Sequence, residues 1–334
     1  MAATASTAEK ILLWERVDAQ DGSLPWLRAQ GIEVKLGRMN DDPSIARYAE
    51  ADLIADAAGC VGLLGSGGAR ITRNVIQSLP GLRVVSKVGV GVDNIDVAAA
   101  SERRIAVCHT PDDNDSVAVA EHALALLMAL RKQLNVWTTA FMRDGGWRSP
   151  QTFAGRLEGS TVGIVGFGRI GRALAQRLAG WGVQILVHDP LTGALPPGVR
   201  ATSLDELLGA CDAVTLHCPA LPGNAPLLDA VALARMRPHA VLINTARASL
   251  VDRAALALAL GQGALAGAAI DVFDPEPPVR SDPLLGLAQV ICTPHVASWT
   301  REGYYRRRQQ AAENLVRQLR GQPGASVANA SALS

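Results

Sequence analysis

Short apolar runs alternate with segments of helical spacing through the first third of the chain. Runs at 11–13, 61–64, 84–88 and 105–108 predict strands, because they are short and largely apolar. Helices are predicted at 24–30, 71–79 and 97–103, where apolar residues recur at three- and four-residue steps. This alternation predicts a parallel sheet covered by helices.

The pattern changes after Pro111 and then resumes at Thr161. Alanine and leucine repeat at helical spacing over 116–142, which predicts one long helix that crosses between two domains. The renewed alternation predicts a doubly wound sheet, and a final amphipathic helix is expected to return to the first domain. The strands are expected at 162–165, 184–187, 213–216, 240–244, 265–270 and 290–292, and further helices at 204–208, 228–236, 254–260 and 301–320.

Composition limits the possible functions. The chain has 334 residues, enough for two domains, which are expected to be 1–108 with 297–334 and 109–296. Lys and Arg number 32 and Asp and Glu 31, so the formal charge of +1 argues against nucleic-acid or membrane-surface binding. Five scattered cysteines form no metal or disulfide pattern, which favours a reducing cytoplasm. No signal peptide or membrane span is expected.

A glycine-rich turn joins a predicted strand to a predicted helix. Gly166 allows a tight turn, Gly168 lets the backbone approach a pyrophosphate, and Gly171 allows close packing of helix on strand. Arg169 and Ile170 open the helix, whose N-terminus would face the phosphates. A glycine turn of this kind can also bind nothing, but the strand, the helix and a correctly spaced acid favour a dinucleotide site.

That acid, Asp189, follows the next predicted strand, eighteen residues after Gly171. A carboxylate in this place accepts both ribose hydroxyls and would repel a 2′-phosphate. Pro190 and Leu191 supply no arginine to neutralise one. The sequence therefore predicts NAD rather than NADP.

Three polar residues each follow a predicted strand of the second half: Arg247, Glu276 and His295. A guanidinium can hold and polarise a 2-keto acid, a histidine can move a proton near neutral pH, and a carboxylate can fix the imidazole tautomer. Taken singly, each is more often a surface charge, a loop carboxylate or a structural histidine. Their joint position beside a dinucleotide fold favours an acid/base site.

Several ordered motifs lie within about 82–300: Val88-Gly-Val-Gly-Val-Asp-Asn-Ile-Asp96, Leu216-His-Cys-Pro219, Asn244-Thr-Ala-Arg247, Asp271 and Thr293-Pro-His295. Together they resemble the D-isomer-specific 2-hydroxyacid dehydrogenases. The resemblance implies that the backbone of Val88, Gly89, Val90 and Gly91 holds the substrate carboxylate, together with Arg247 and His295. It also identifies Arg247, Glu276 and His295 as the catalytic set and Asp271 as the acid near the nicotinamide carboxamide. The expected cofactor-binding residues are Gly166, Gly168, Arg169, Ile170, Gly171, Asp189, His217, Pro219, Thr245, Ala246, Asp271 and His295.

The resemblance further implies an architecture and an assembly. A Rossmann domain would be inserted in a flavodoxin-like substrate domain, and homodimers would form through the Rossmann halves and the long helix. The chain departs from the family pattern at His109 and Asp112, so the surface facing the substrate is expected to be unusual. Trp299 either walls the pocket or packs at the seam between domains, with equal weight.

The main prediction is an NAD-dependent oxidoreductase that interconverts a small 2-keto acid and its D-2-hydroxy acid. Hydride would pass between nicotinamide C4 and substrate C2 while His295 moves the proton. No metal is expected. Two alternatives stay open: a dinucleotide-sensing binding protein like the C-terminal-binding corepressors, and a phosphite-oxidising enzyme on the same fold.

Overall fold

The computed structural model describes residues 9–42, 45, 47–111, 113–149, 153–220 and 223–333. They fall into two compact units. Unit 1 comprises the described parts of Met1–Asp112 and Arg301–Ser334, and unit 2 those of Asp113–Thr300. Each division lies four residues beyond the boundary expected from the sequence. Asp112 itself lies outside the described residues.

The described residues form twelve strands and twelve helices. The strands are β1 (Lys10–Leu13), β2 (Glu33–Leu36), β3 (Gly62–Gly65), β4 (Val84–Lys87), β5 (Ala106–Cys108), β6 (Thr161–Val165), β7 (Gln184–His188), β8 (Val199–Ala201), β9 (Ala213–Leu216), β10 (Val241–Asn244), β11 (Gly267–Ile270) and β12 (Val290–Cys292). The helices are α1 (Ser23–Ala29), α2 (Glu50–Ala57), α3 (Arg73–Ser78), α4 (Val97–Glu102), α5 (Asp113–Arg131), α6 (Thr139–Arg143), α7 (Arg169–Leu178), α8 (Leu204–Ala210), α9 (Ala230–Arg235), α10 (Arg253–Gly261), α11 (Arg301–Leu319) and α12 (Ala330–Leu333).

Unit 1 is built on a parallel five-stranded sheet in the order β2-β1-β3-β4-β5, which is the flavodoxin-like order. Side chains of β1 alternate between its two faces. Ile11 and Leu13 lie in one apolar cluster with Leu315 of α11, whereas Leu12 lies in another with Leu53 of α2. The last long helix therefore completes the core of the unit that contains the first strand.

Unit 2 holds a parallel seven-stranded sheet in the order β12-β11-β10-β9-β6-β7-β8. Val162 and Ile164 of β6 pack in a cluster with residues of α5 and α7. Val165 packs on the other face with residues of α8, α9 and α10. The chain leaves β6 in one direction to β7 and later returns on its other side to β9, so the two directions diverge beside β6, where α/β sheets bind ligands. The doubly wound Rossmann architecture expected from the sequence is confirmed.

The predicted single helix over 116–142 is wrong. Helix α5 ends at Arg131, Gln133 takes a left-handed φ of 53°, and a new short helix, α6, starts at Thr139. The amide of Leu134 donates to the carbonyl of Ala129, and that of Gln133 to Leu130, at 2.9 and 3.0 Å. This is a Schellman termination. It usually involves glycine at the left-handed position, and glutamine there gives no sequence signal.

Two strands were not predicted. The sequence of β2, Glu33-Val-Lys-Leu36, alternates polar and apolar residues, and β8 has only three residues. Both lie at the edge of a sheet, where less burial is needed and the apolar signal is weak.

No helix in the described part of the chain is long and apolar enough to cross a bilayer. Within the same residues, no three His, Cys, Asp or Glu side chains are grouped as metal ligands. Residence in the cytoplasm stays a prediction.

Candidate active site

The glycine turn between β6 and α7 has the backbone that its sequence predicts. Gly166 has a φ of 90°, and a Cβ there would lie 2.6 Å from the amide nitrogen of Cys218. A Cβ on Gly171 would collide with the carbonyl oxygen of Gly166. A Cβ on Gly168, by contrast, would meet no heavy atom of the described residues within 4 Å. Two glycines thus allow the turn to fold, and the third leaves open space above it.

Helix α7 begins at Arg169, directly after that open space. Arg169 is exposed and Ile170 is half-buried. The amide groups of the first helical turn have no partner in the helix and carry its positive dipole end. These features suit a pyrophosphate, as the sequence predicts.

Asp189 follows β7, half-buried beside the glycine turn. One carboxylate oxygen accepts from the amide of Phe167 at 2.6 Å, and the other from Leu191 at 2.8 Å. The sequence predicts contact of this carboxylate with a ribose but gives no sign of these backbone bonds. These two hydrogen bonds hold the Asp189 carboxylate beside the glycine turn.

Buried polar atoms without partners mark the neighbouring strand ends. Among the described residues, neither His217 Nδ1 after β9 nor Thr245 Oγ1 after β10 has a hydrogen-bond partner, although both are buried. Such atoms are costly unless a ligand or water satisfies them. Burial lowers the pKa of His217 to about 3, so its imidazole is neutral. Together with the open glycine turn, these residues fit a dinucleotide such as NAD.

Two further expected cofactor residues lie in the same loops. Pro219 is exposed, two residues beyond His217. Ala246 is half-buried, and its amide donates to Asn244 Oδ1 at 3.0 Å. Both follow the ends of strands on the β9 and β10 side of the sheet.

Arg247 leaves the end of β10 on a braced loop. Asn244 Nδ2 donates to the Arg247 carbonyl at 2.9 Å, and the guanidinium donates to the Ala246 carbonyl at 2.7 Å. A short 3-10 helix, Ala248–Leu250, follows directly. The half-buried guanidinium is thereby held near the sheet edge.

Glu276 and His295 are in direct contact. His295 Nδ1 lies 2.9 Å from both carboxylate oxygens of Glu276. Since an ionised carboxylate only accepts, Nδ1 carries a proton and Nε2 is the nitrogen left for chemistry. The amide of Phe273 also donates to Glu276 Oε1, at 3.0 Å, which orients the acid.

Asp271 organises the loop that carries His295. Its carboxylate is fully buried and accepts from Thr293 Oγ1 at 2.6 Å and from the amides of Val296 and Ala297 at 2.9 Å each. His295 sits inside this loop with a left-handed φ of 54°. The sequence places Asp271 near the cofactor but gives no indication of this anchoring role.

The predicted substrate loop, Val88 to Gly91, belongs to unit 1 and follows β4. The amide of Val88 donates to the Gly65 carbonyl and that of Gly89 to Thr110 Oγ1. No hydrogen bond within the described residues uses the amides of Val90 or Gly91. An anion at this loop would therefore be held by these last two amides.

His109, which departs from the family pattern, and Trp299 both have defined positions. His109 Nδ1 lies 2.9 Å from the Val90 carbonyl, so it borders the predicted substrate loop. Trp299, in unit 2, is 58% exposed, four residues after His295. The sequence-level choice for Trp299, between a pocket wall and a domain seam, stays open.

The sheet of unit 2 brings the candidate catalytic side chains to the carboxyl ends of its strands. Arg247, Asp271 and His295 follow β10, β11 and β12, which are neighbours and parallel, so all three leave the same side of the sheet. Glu276 joins them through His295. The arrangement combines a fixed cation with a histidine whose tautomer is set. Such a pair can bind a small anion and move a proton.

Comparisons with known proteins find similar sequences and similar folds. A family model described as the D-isomer specific 2-hydroxyacid dehydrogenase NAD binding domain matches residues 124–297. D-3-phosphoglycerate dehydrogenase of Mycobacterium tuberculosis strain H37Rv is 38% identical over 297 residues, which cover 88% of this chain and 54% of that protein. The chain thus spans about half the length of the curated relatives that it matches.

Solved structures match over nearly the whole chain. The TT0316 protein from Thermus thermophilus is 36% identical, with a TM-score of 0.85, covering 96% of this chain and 99% of that one. NAD-dependent formate dehydrogenase from Staphylococcus aureus, solved with NAD, is 30% identical, with a TM-score of 0.82, covering 95% and 97%.

Proposed function

Because the chain belongs to the D-isomer specific 2-hydroxyacid dehydrogenases, we propose that it uses NAD to interconvert a small 2-keto acid and its D-2-hydroxy acid. The family acts on small hydroxy and keto acids. The observation that carries the proposal is the Glu276–His295 pair, which lies at the same carboxyl ends of the parallel strands as Arg247.

His295 is the general acid and base of the proposed reaction. Glu276 holds Nδ1, so Nε2 is free to give a proton to the carbonyl oxygen of a keto acid or to take one from the hydroxyl of a hydroxy acid.

Arg247 binds and polarises the substrate in the proposal. Its planar guanidinium can donate two parallel hydrogen bonds to a carboxylate and the adjacent carbonyl. A permanent positive charge also favours the developing negative charge on the substrate oxygen.

NAD, when bound, takes up or supplies the hydride at C2 of the substrate. The residues placed to hold it are the turn at Gly166 to Gly171, Asp189, and the loops at His217 and Thr245. Their open space and partnerless polar atoms support this assignment.

The test is turnover of NADH with glyoxylate, hydroxypyruvate, pyruvate and longer 2-keto acids, read by NADH absorbance. We expect turnover on at least one. His295→Ala should lower kcat by about 10²-fold or more, since proton transfer loses its catalyst, while NADH affinity stays within about twofold.

His239→Ala is the matched control. His239 Nε2 also pairs with a carboxylate, Asp212 Oδ1, at 2.8 Å. His239 precedes β10, however, and so lies at the amino ends of the strands, opposite the candidate site. It should leave kcat unchanged. NADH binding without turnover of any keto acid would contradict the proposal and favour the dinucleotide-sensing protein. Turnover of phosphite with NAD would favour the phosphite-oxidising enzyme.

We also propose a homodimer formed through unit 2. Large apolar side chains are exposed along the segment after α5: Leu134, Met142, Trp147 and Phe153 are 57%, 60%, 69% and 76% exposed. A cluster of such residues in one stretch of chain is typical of a protein interface. The segment adjoins the long helix that the family resemblance implicates in pairing.

A further inference from the structure

The backbone conformation of His295 needs support from its surroundings. Its φ of 54° lies in the left-handed region, which costs a residue with a Cβ free energy unless neighbouring contacts stabilise it. Support comes from the loop on both sides: Thr293, Val296 and Ala297 all donate to Asp271. The position of the imidazole thus depends on how firmly Asp271 holds this loop.

The hydrogen-bond count extends the network by one residue. Thr293 Oγ1 has a single proton, and the 2.6 Å contact with the acceptor-only Asp271 carboxylate uses it. His122 Nε2 lies 3.2 Å from Thr293 Oγ1. Because the hydroxyl proton is already used, His122 must be the donor in this contact. The resulting chain runs from His122 through Thr293 to Asp271.

His122 reaches this position from α5. Its side chain is 22% exposed, and Nε2 also lies 3.8 Å from Asp271 Oδ1. Ala123 and Leu127 of α5 are buried in one cluster with Leu174 of α7, and the preceding residue, Glu121, pairs with Arg177 of α7 at 2.9 Å. The donor is therefore held by the helix layer, independently of the loop that it contacts.

We propose that His122 is a positioning residue for His295. It orients the Thr293 hydroxyl, and Thr293 and Asp271 in turn fix the left-handed turn that aims the imidazole. His122 acts only through the loop and does not contact the reacting atoms. The inference rests on the proposed function, in which His295 moves the proton.

Two pairs of variants separate the hydrogen bond from simple packing. His122→Ala removes the donor, and His122→Gln keeps an N–H group at similar reach. Thr293→Val removes the hydroxyl at equal size, whereas Thr293→Ser keeps it. Each purified protein is assayed for kcat, KM and NADH affinity, and for hydrogen–deuterium exchange of the amides in 293–297.

We expect His122→Ala and Thr293→Val to lower kcat by about 10-fold, because small misplacements of a catalytic group are costly. NADH affinity should stay within about twofold. The Val296 and Ala297 amides should exchange about 10-fold faster. His122→Gln and Thr293→Ser should recover most of the wild-type kcat and exchange.

Wild-type exchange in both His122→Ala and Thr293→Val would overturn the inference, whatever the activity. The inference would also be overturned if Thr293→Val and Thr293→Ser lost the same amount of kcat and of exchange protection, because only Thr293→Ser keeps the hydroxyl. Exchange does not depend on turnover. A wild-type protein that turns over no keto acid would overturn the proposed function, and the exchange data would still decide the role of His122.

Discussion

Single carboxylates fix the backbone at each part of the candidate site. Asp189, Glu276 and Asp271 each accept from at least one main-chain amide, in addition to any ligand that they meet. Asp189 and Glu276 were expected from their positions after predicted strands, and Asp271 from the family resemblance. The sequence could not show their amide partners, since these depend on loop conformations that no periodic pattern encodes.

Asp189 is expected to set the preference for NADH. Asp189→Asn keeps the shape and an acceptor for Phe167 but removes the charge that would repel a 2′-phosphate. We expect the ratio of kcat/KM for NADPH to that for NADH to rise by about 10-fold. Asp205→Asn, an exposed acid on α8, is the control. An unchanged ratio in Asp189→Asn would show that the charge does not select the cofactor.

His217 should make the fold sensitive to acid. A histidine in an unfolded chain titrates near pH 6.5, whereas burial lowers the pKa of His217 to about 3 in the folded protein. Between these values the unfolded state binds a proton that the folded state does not. Stability is therefore lost as pH falls from 6.5 towards 3, and this contribution is constant above 6.5.

The comparison is between wild type and His217→Gln in urea at about pH 7, 6 and 5. Below pH 6.5 wild type should lose free energy of unfolding faster than the variant, by at most about 1.4 kcal/mol per pH unit. His239→Gln, at an exposed histidine, is the control. Parallel curves for wild type and His217→Gln would contradict the assignment.

At the scale of elements, buried strands were predictable and helix ends were not. The strands β6, β9 and β10 are mostly apolar because both faces of the sheet are covered, and this gives a strong signal. The end of α5 depends on a left-handed glutamine, and the edge strands β2 and β8 need little burial. Both kinds of feature are set by tertiary contacts.

The turn between β6 and α7 allows a matched pair of glycine substitutions. Gly171→Ala would place a methyl group against the Gly166 carbonyl, whereas Gly168→Ala would meet no described atom within 4 Å. We expect Gly171→Ala to lower Tm by several degrees, as overpacking costs about 1–3 kcal/mol. Gly168→Ala should keep Tm and weaken NADH binding by about 10-fold, since its methyl group would occupy the space left for phosphate. Calorimetry gives both quantities, and the reverse pattern would contradict the assigned roles.

At the scale of the whole molecule, the order of elements predicted the architecture. Strands alternating with helices imply parallel sheets, and a final helix was expected to return to the first half. The structure places α11 in unit 1, where Leu315 packs with Ile11. Exposed apolar residues such as Trp147 and Phe153 gave no warning in the sequence, because composition does not distinguish a core side chain from one at an interface.

The homodimer can be tested by removing its proposed contacts. The 35.0 kDa chain should sediment at twice its mass at micromolar concentration. Leu134→Lys with Trp147→Ser should sediment as a monomer, because the exposed apolar surface after α5 is lost. Val231→Lys with Leu258→Lys removes two other exposed apolar residues, on α9 and α10, and should leave the dimer intact. A monomeric wild type would contradict the proposal.

The return of α11 to unit 1 has a consequence for synthesis on the ribosome. All of unit 2 has been translated by residue 300, before α11, the helix that covers Ile11 and Leu13, has been synthesised. The part of this sheet face that α11 covers, at Ile11 and Leu13, therefore stays exposed until translation reaches about residue 319. Unit 1 is completed only after unit 2 has been made, and the apolar surface left exposed in the nascent chain is a target for chaperones.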